Sequence, residues 1–229
     1  MKQLVNVFLP MRAGSERVVN KNTKTFAKIE GGLARIKIEQ LLKAELISQI
    51  VISTNDVEVI NIAESFRSSK IVIVKRSNTL ASSHASTDAL IKHAGEIMPE
   101  GHILWTHVTS PFVNSKNYDS FVQTYFNNLN TYDSLMTVTK LQKFIWRDNE
   151  PITYDREVEK WPRTQTINPL WEVNSAAFLA SREIYHKCKD RIGKKPYLFE
   201  TTQEVSFDID WPQDFQLAEK FFIALHDQV

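Results

Sequence analysis

One cysteine, Cys188, stands among 229 residues. A lone thiol closes no intrachain disulfide and offers no CxxC pair to grip a metal. That usage fits a reducing compartment. Glycine is scarce too: there are six, and none forms the P-loop pattern or GxGxxG. A phosphate bound here must be held by a different scheme. There is no GxSxG elbow for a serine nucleophile, and the histidines lack the spacing of a zinc site. Charge of one sign is missing as well, with 28 basic against 27 acidic residues and a net charge of +1. Such a balance gives no argument for a nucleic-acid or membrane-surface partner, so any bound anion needs a local site. No run approaches the roughly 18 apolar residues that span a bilayer. The start, Met1 to Val7, lacks the long apolar core of a secretory signal. The chain is therefore expected to be cytoplasmic, with no nucleic-acid and no membrane partner.

What is present is a regular alternation. Val5 to Pro10 reads as a buried strand, and Ala34, Ile38, Leu41 and Leu42 then share a helical face. Gln49 to Ser53 reads as the next strand. Val59, Ile62, Ala63 and Phe66 mark a helix capped by Asn55 or Asp56. Ile71 to Val74 is a third strand. Leu90, His93, Ala94 and Ile97 mark a helix with Ser86 as its cap. Ile103 to Trp105 lies in a strand, Tyr118, Phe121, Val122 and Tyr125 on a helix, and Ser134 to Thr139 in a fifth strand. Apolar strands alternating with amphipathic helices predict an α/β fold, its mostly parallel sheet buried on both faces. Ligands of such sheets bind outside the carboxyl ends of the strands, which singles out the loops after strands one, three and four.

The second half has a different texture. Asp148-Asn149-Glu150-Pro151 is a turn between short strand-like pieces, and residues 155–170 are polar with two prolines. Residues 141–171 thus read as an arm inserted in a single domain spanning 1–229. Glu172 to Ala180 and Val205 to Ile209 return to strand character. Pro212 opens a last helix with Phe215, Ala218, Phe222 and Leu225 on one face.

Two motifs carry most of the chemistry. The loop Pro10 to Asn22 follows the first strand and sets Arg12, Arg17 and Lys21 beside a flexible Gly14-Ser15. Guanidinium and ammonium groups bind phosphate oxygens, and a glycine admits backbone amides to the ligand. A solvated basic loop carries the same charges, so its place at a carboxyl strand end is what favours a site. Asp208-Ile209-Asp210 is the second motif. On a strand its two carboxylates converge, and converging carboxylates hold a hard cation such as Mg²⁺. The competing reading makes Asp210 a cap for the final helix, which leaves Asp208 unexplained. His107 to Pro111 can meet a substrate or simply form a turn. Trp146, Trp161 and Trp171 flank the arm, where packing or subunit contact outweighs ligand stacking. His84 and His93 read as helix-start and core-edge residues, and Cys188 as structural.

In order and spacing these anchors resemble the acylneuraminate cytidylyltransferase family. They are Arg12 to Arg17 running on to Lys21-Asn22, Arg76 to Ser86 with Leu80-Ala81-Ser82, Thr109-Ser110-Pro111, and Ser206 to Asp210, with Ile50 to Asp56 between the first and third. The resemblance covers nearly the whole chain. It implies a Rossmann-like nucleotidyltransferase domain and a homodimer contacted through the arm. It implies transfer of CMP from CTP to an acidic 2-keto sugar with release of pyrophosphate. Carried over by position, Arg12, Ala13, Gly14, Ser15, Lys21 and Asn22 would meet the nucleotide, and Arg76, Ala81 and Ser82 would hold cytidine. Arg12, Lys21, Asp208 and Asp210 would be catalytic, the two aspartates through Mg²⁺. His107, Thr109, Arg147, Glu172 and Asn174 would meet the sugar. The sugar half departs more from the family. His107 stands where the sialic acid enzymes carry glutamine, Glu172 near an arginine of theirs, Arg147 near a lysine, and Glu16 where a basic residue is common. An acid near a carboxylate-binding position repels a sugar acid, so the acceptor expected is a different nonulosonic acid, or another sugar, rather than sialic acid. A sugar nucleotidyltransferase using another nucleoside triphosphate, and a non-catalytic nucleotide-binding relative, remain open alternatives.

Overall fold

Apolar runs become strands and amphipathic runs become the helices between them. The computed structural model describes residues 4–226, so Met1 to Gln3 of the amino-terminal segment lie outside the described residues. The first half alternates as expected: β1 (Val5–Met11), α1 (Gly32–Lys43), β2 (Ile47–Thr54), α2 (Val57–Ser65), β3 (Ile71–Lys75), α3 (Asn78–Ala81), α4 (Thr87–Ile97), β4 (His102–Trp105), α5 (Ser115–Asn128) and β5 (Ser134–Leu141). Caps explain the helix starts. The Asp56 carboxylate accepts from the Glu58 amide, and the Ser86 hydroxyl accepts from the Ala89 amide. The second half adds β6 (Trp146–Arg147), β7 (Glu150–Pro151), β8 (Leu170–Ser181), α6 (Arg182–Lys187), β9 (Pro196–Glu200) and α7 (Pro212–His226).

The main sheet has seven strands in the order β3-β2-β1-β4-β8-β5-β9. Only β8 runs against its neighbours. The reason lies in the connection. A parallel neighbour needs a crossover back across the sheet, whereas the chain leaves β5 into the arm and returns at the same edge. Within the arm, β6 and β7 pair as a small antiparallel hairpin.

Both faces of the sheet are covered. On β1, Val5, Val7, Leu9 and Met11 face one cluster with α1, α5 and α7, while Phe8 faces the other with α4 and α6. That period of two, buried on both sides, gives the strands their continuous apolar runs. Each fully buried Leu, Ile or Phe contributes about 1.5–3 kcal/mol. No helix among the described residues is long and apolar enough to cross a membrane.

Three expectations need correction. Residues Val205 to Ile209 form a turn and an extended loop, not a strand; the strand lies earlier, at Pro196–Glu200. Val205 and Ile209 are buried as loop residues, and the Ile209 amide donates to the Thr109 carbonyl at 2.9 Å. Asp210 does not cap α7: the Asp214 carboxylate folds back to accept from the Asp210 and Trp211 amides. Leu225 is exposed, whereas Phe215, Ala218 and Phe222 are buried.

Candidate active site

Strand β1 lies between β2 and β4. The chain leaves β1 towards β2, and β4 lies on the other side, so the loops after β1 and β4 part at the carboxyl edge. This topological switch point is where open α/β sheets bind ligands. A cleft of about 360 Å³ opens there, lined by Arg12, Ser15, Lys21, Asn22, His107 and Thr109, together with Glu16, Arg17 and Ser83.

The loop after β1 is held open by specific bonds. Asn22 is buried, and its Nδ2 donates to the Arg12 carbonyl at 2.9 Å, clasping the two ends of the loop. The Ala13 amide donates to Asn55 Oδ1 at 2.9 Å, which ties the loop to the end of β2. Gly14 has φ 73° with open space around it, a left-handed turn that glycine makes without strain, though it does not itself line the cleft. Its carbonyl accepts from Arg12 Nη1 at 2.9 Å. Gly32 is required for packing: a Cβ there would stand 2.0 Å from the Lys24 carbonyl oxygen.

The Asp208–Asp210 segment does not line the cleft but is bonded to residues that do, Lys21, Arg17 and Thr109. Lys21 Nζ donates to the Ile209 carbonyl at 2.8 Å, joining the two motifs. Arg17 Nη2 pairs with Asp210 Oδ1 at 3.1 Å, and its guanidinium lies 4.9 Å from the centre of the Trp211 ring. Both partners of that pair are about half exposed, so it adds little stability. Asp208 is the more deeply placed acid. The Thr109 and Ser175 hydroxyls stand beside it, and its Oδ1 is buried without a hydrogen-bond partner. Burial pushes its carboxyl above the usual carboxylate range. Burial lowers the Lys21 ammonium, Arg17 and Arg12 lower it further, and the two aspartates oppose the shift. Beneath the loop, Arg76 is buried with a guanidinium bond to the Ser53 carbonyl and with Nε unpartnered. Its value falls to about 10 through burial and the nearby Arg12. Several cations face the cleft against few acids, which suits a polyphosphate.

The donor set also fits a hard cation. Among the described residues no group of three or more His, Cys, Asp and Glu gathers to cage a metal. Two carboxylates two residues apart are what remains, one with a vacant buried oxygen. Mg²⁺ is commonly held so, by one or two carboxylates with the other positions left to phosphate and water.

The Cytidylyltransferase family profile matches residues 7–228, almost the whole chain. The chain belongs to the cytidylyltransferase family. It is 28% identical over 225 residues to the N-acylneuraminate cytidylyltransferase of Escherichia coli O18:K1:H7 (strain RS218 / NMEC), covering 95% of this chain and 52% of that one. The chain thus spans about half the length of that relative. It is 24% identical over 236 residues to the pseudaminic acid cytidylyltransferase of Campylobacter jejuni subsp. jejuni serotype O:2, covering 96% of each. Among solved structures, a CMP:2-keto-3-deoxy-manno-octonic acid synthetase complexed with CTP aligns with TM-score 0.66 at 11% identity, over 97% of this chain and 99% of that one. The 4-diphosphocytidyl-2C-methyl-D-erythritol synthase of Anaerococcus prevotii DSM 20548 aligns with TM-score 0.69 at 11% identity, over 96% of each. The fold is that of the α/β nucleotidyltransferases.

Within this cytidylyltransferase fold the expected site residues divide. Arg12, Ser15, Lys21, Asn22, His107 and Thr109 share the cleft. Ala81 ends α3 and Ser82 follows it, one residue before Ser83 on the cleft wall. Arg147 lies in the exposed β6–β7 hairpin and Glu172 is exposed on β8, paired in register with Thr139; neither lines the cleft. Asn174 is buried with its amide committed: Nδ2 donates to Thr139 Oγ1 at 3.0 Å and to Thr201 Oγ1 at 2.9 Å, and Oδ1 accepts from the Ala176 amide at 3.3 Å. It sits at an irregularity where β5 and β8 lose register between Met136 and Val138. Freed backbone groups there are taken up by side chains. The Ala176 carbonyl accepts from Thr106 Oγ1, and the Ala177 amide donates to Thr137 Oγ1. Bulges of this kind re-aim side chains near active sites, and this one lies beside Ser175 and hence Asp208. Ser175 was visible in the sequence only as a polar residue on a strand. Cys188, expected to be structural, is exposed and free at the end of α6.

Proposed function

We propose that this chain transfers CMP from CTP to a 2-keto sugar acid of the nonulosonic type, with release of pyrophosphate. The observation that carries this reading is the switch-point cleft, whose Arg12–Asn22 loop is bonded through Lys21 to the segment bearing the half-free carboxylate of Asp208, in a chain of the cytidylyltransferase family. The names of the relatives, which act on N-acylneuraminate and pseudaminic acid, support an acidic nonulose as acceptor.

Nucleotidyl transfer asks little covalent chemistry of a protein. It needs alignment of the attacking oxygen with the leaving group and positive charge on the phosphate oxygens. Arg12, Arg17 and Lys21 supply that charge from the β1 loop. Arg17 is shared with Asp210 in the free protein, so nucleotide phosphates compete with that carboxylate for its guanidinium. Lys21 is fixed by the Ile209 carbonyl, which couples the phosphate loop to the Asp208–Asp210 segment. Asp208 and Asp210 would hold Mg²⁺, whose charge would neutralise the departing pyrophosphate. The acceptor's anomeric hydroxyl attacks the α-phosphorus directly, with no covalent enzyme intermediate.

The arm presents Trp146, Trp161 and Trp171, all at least 39% exposed, on a surface that a second copy of the chain would cover. We assign the working form as a homodimer on this ground, and the compartment as the cytoplasm on the free, exposed Cys188.

Thermal-shift measurements with CTP, UTP, ATP and GTP test the nucleotide assignment, since a tight ligand stabilises by mass action. CTP with Mg²⁺ should raise Tm most, and a chelator should remove the gain. Equal shifts from all four nucleotides, or none from CTP, would contradict it.

A further inference from the structure

His107 sits on the cleft wall just beyond β4, and the chemistry of its ring is set from behind. Trp105, fully buried at the end of β4, donates its indole Nε1–H to His107 Nε2 at 2.9 Å. An indole N–H can only donate. The receiving nitrogen is therefore bare, and a neutral imidazole must then carry its one proton on Nδ1. Nδ1 makes no hydrogen bond among the described residues, and the ring lines the cleft. Arg191 packs against the ring that holds His107. Its guanidinium lies 3.7 Å from the Phe178 ring centre and 5.1 Å from that of Trp105. The charges facing His107 are Arg191, Lys21 and Lys37, all cationic, and with burial they push its value down to about 3. Each of the three cations thus opposes a second proton.

We propose that Trp105 and Arg191 are positioning residues that hold His107 as a neutral Nδ1–H donor facing the acceptor, so that it donates to a hydroxyl or acyl oxygen of the sugar acid and takes no part in removing the acceptor's proton. This rests on the transferase reading given above. A histidine in such a cleft is the obvious candidate for a general base, but a base needs a lone pair on the substrate side. His107 spends that lone pair on Trp105. Nor does it act as an imidazolium for the sugar carboxylate.

The test uses the full chain labelled with ¹⁵N, in which two-bond proton–nitrogen correlations show which ring nitrogen of His107 bears the proton. The wild type should show a single Nδ1–H tautomer between about pH 7.5 and about pH 5.5, the span in which an ordinary histidine gains its second proton. An Nε2–H tautomer, or ordinary titration, would overturn the proposal. Trp105→Phe keeps the ring and drops the donor. It should give mixed tautomers and raise the acceptor KM about three- to tenfold, the loss of one oriented hydrogen bond, with the CTP KM unmoved. Arg191→Met should let His107 titrate nearer its ordinary value. An unchanged tautomer in Trp105→Phe would overturn the lock; if that variant fails to fold, the wild-type spectrum decides alone. Absent turnover with every sugar acid, beside a single Nδ1–H tautomer, would sink the transferase reading and uphold the fixed ring.

Discussion

Asn174→Ala separates a strand clamp from a substrate contact. The family resemblance implies a place near the sugar, yet the side chain is 8% exposed and both amide protons are committed to Thr139 and Thr201. Its carbonyl oxygen accepts from the Ala176 amide, which leaves a substrate one lone pair at most. The amide thus ties β8 to β5 and to the segment after β9 at the point where the ladder is interrupted. Truncation removes three hydrogen bonds, each worth about 0.5–1.5 kcal/mol net, so a loss of about 2–4 kcal/mol is expected. For a chain of this size each kcal/mol moves Tm by about 2–4 °C, which predicts a fall of about 4–16 °C. The assay is a thermal melt alongside initial rates at low temperature, where the variant is folded. The Tm should fall and the CTP KM should hold. An unchanged Tm with a raised acceptor KM would instead return Asn174 to the substrate.

Asp208→Asn should gain stability and lose activity. The buried carboxyl is held above its ordinary value, so the folded chain binds this proton more tightly than the unfolded one. The ionised form therefore costs stability at neutral pH, a cost relieved as pH falls. The amide should raise Tm at pH 7 while kcat/KM falls at least about a hundredfold; a lower Tm with activity kept would contradict both. Arg17→Gln should leave Tm nearly unchanged, since its pair with Asp210 is half exposed. It should raise the CTP KM about tenfold or more through loss of a charge-assisted bond, read from initial rates. Lys37, buried on α1, donates to the Ser110 and Val113 carbonyls, and burial holds its ammonium well below the ordinary value. The unfolded chain binds that proton more tightly, so stability grows as pH rises towards the ordinary lysine value. Melts against pH should show wild type gaining on Lys37→Met over that range; a difference independent of pH would refute the depressed value.

Much of the fold was legible because local signals agreed. Asp56 and Ser86 announce their helices by capping, and the helical faces of α1 and α5 are clear in the spacing of their buried residues. Strand direction is not written in any strand. The reversal of β8 follows from the absence of a crossover across the arm, a property of the connection. Val205 to Ile209 misled because alternating apolar residues look alike in a strand and in a loop that plugs a core; Ile209 is fully buried without a ladder partner strand. The basic loop after β1 and the aspartate pair were visible as motifs, but their joining through Lys21 and the Ile209 carbonyl spans most of the chain. The state of His107 depends on Trp105, close by in sequence, and on Arg191, which only the packing of α6 and its following loop brings near.

CMP transfer is read directly by ³¹P NMR of the reaction mixture with CTP, Mg²⁺ and a panel of sugar acids that includes N-acylneuraminic, pseudaminic and 3-deoxy-octulosonic acids. The proposed transfer predicts stoichiometric pyrophosphate and a CMP–sugar phosphodiester with a nonulosonic acid, dependent on both CTP and sugar. No diester with any sugar acid, or equal product from UTP, would contradict it.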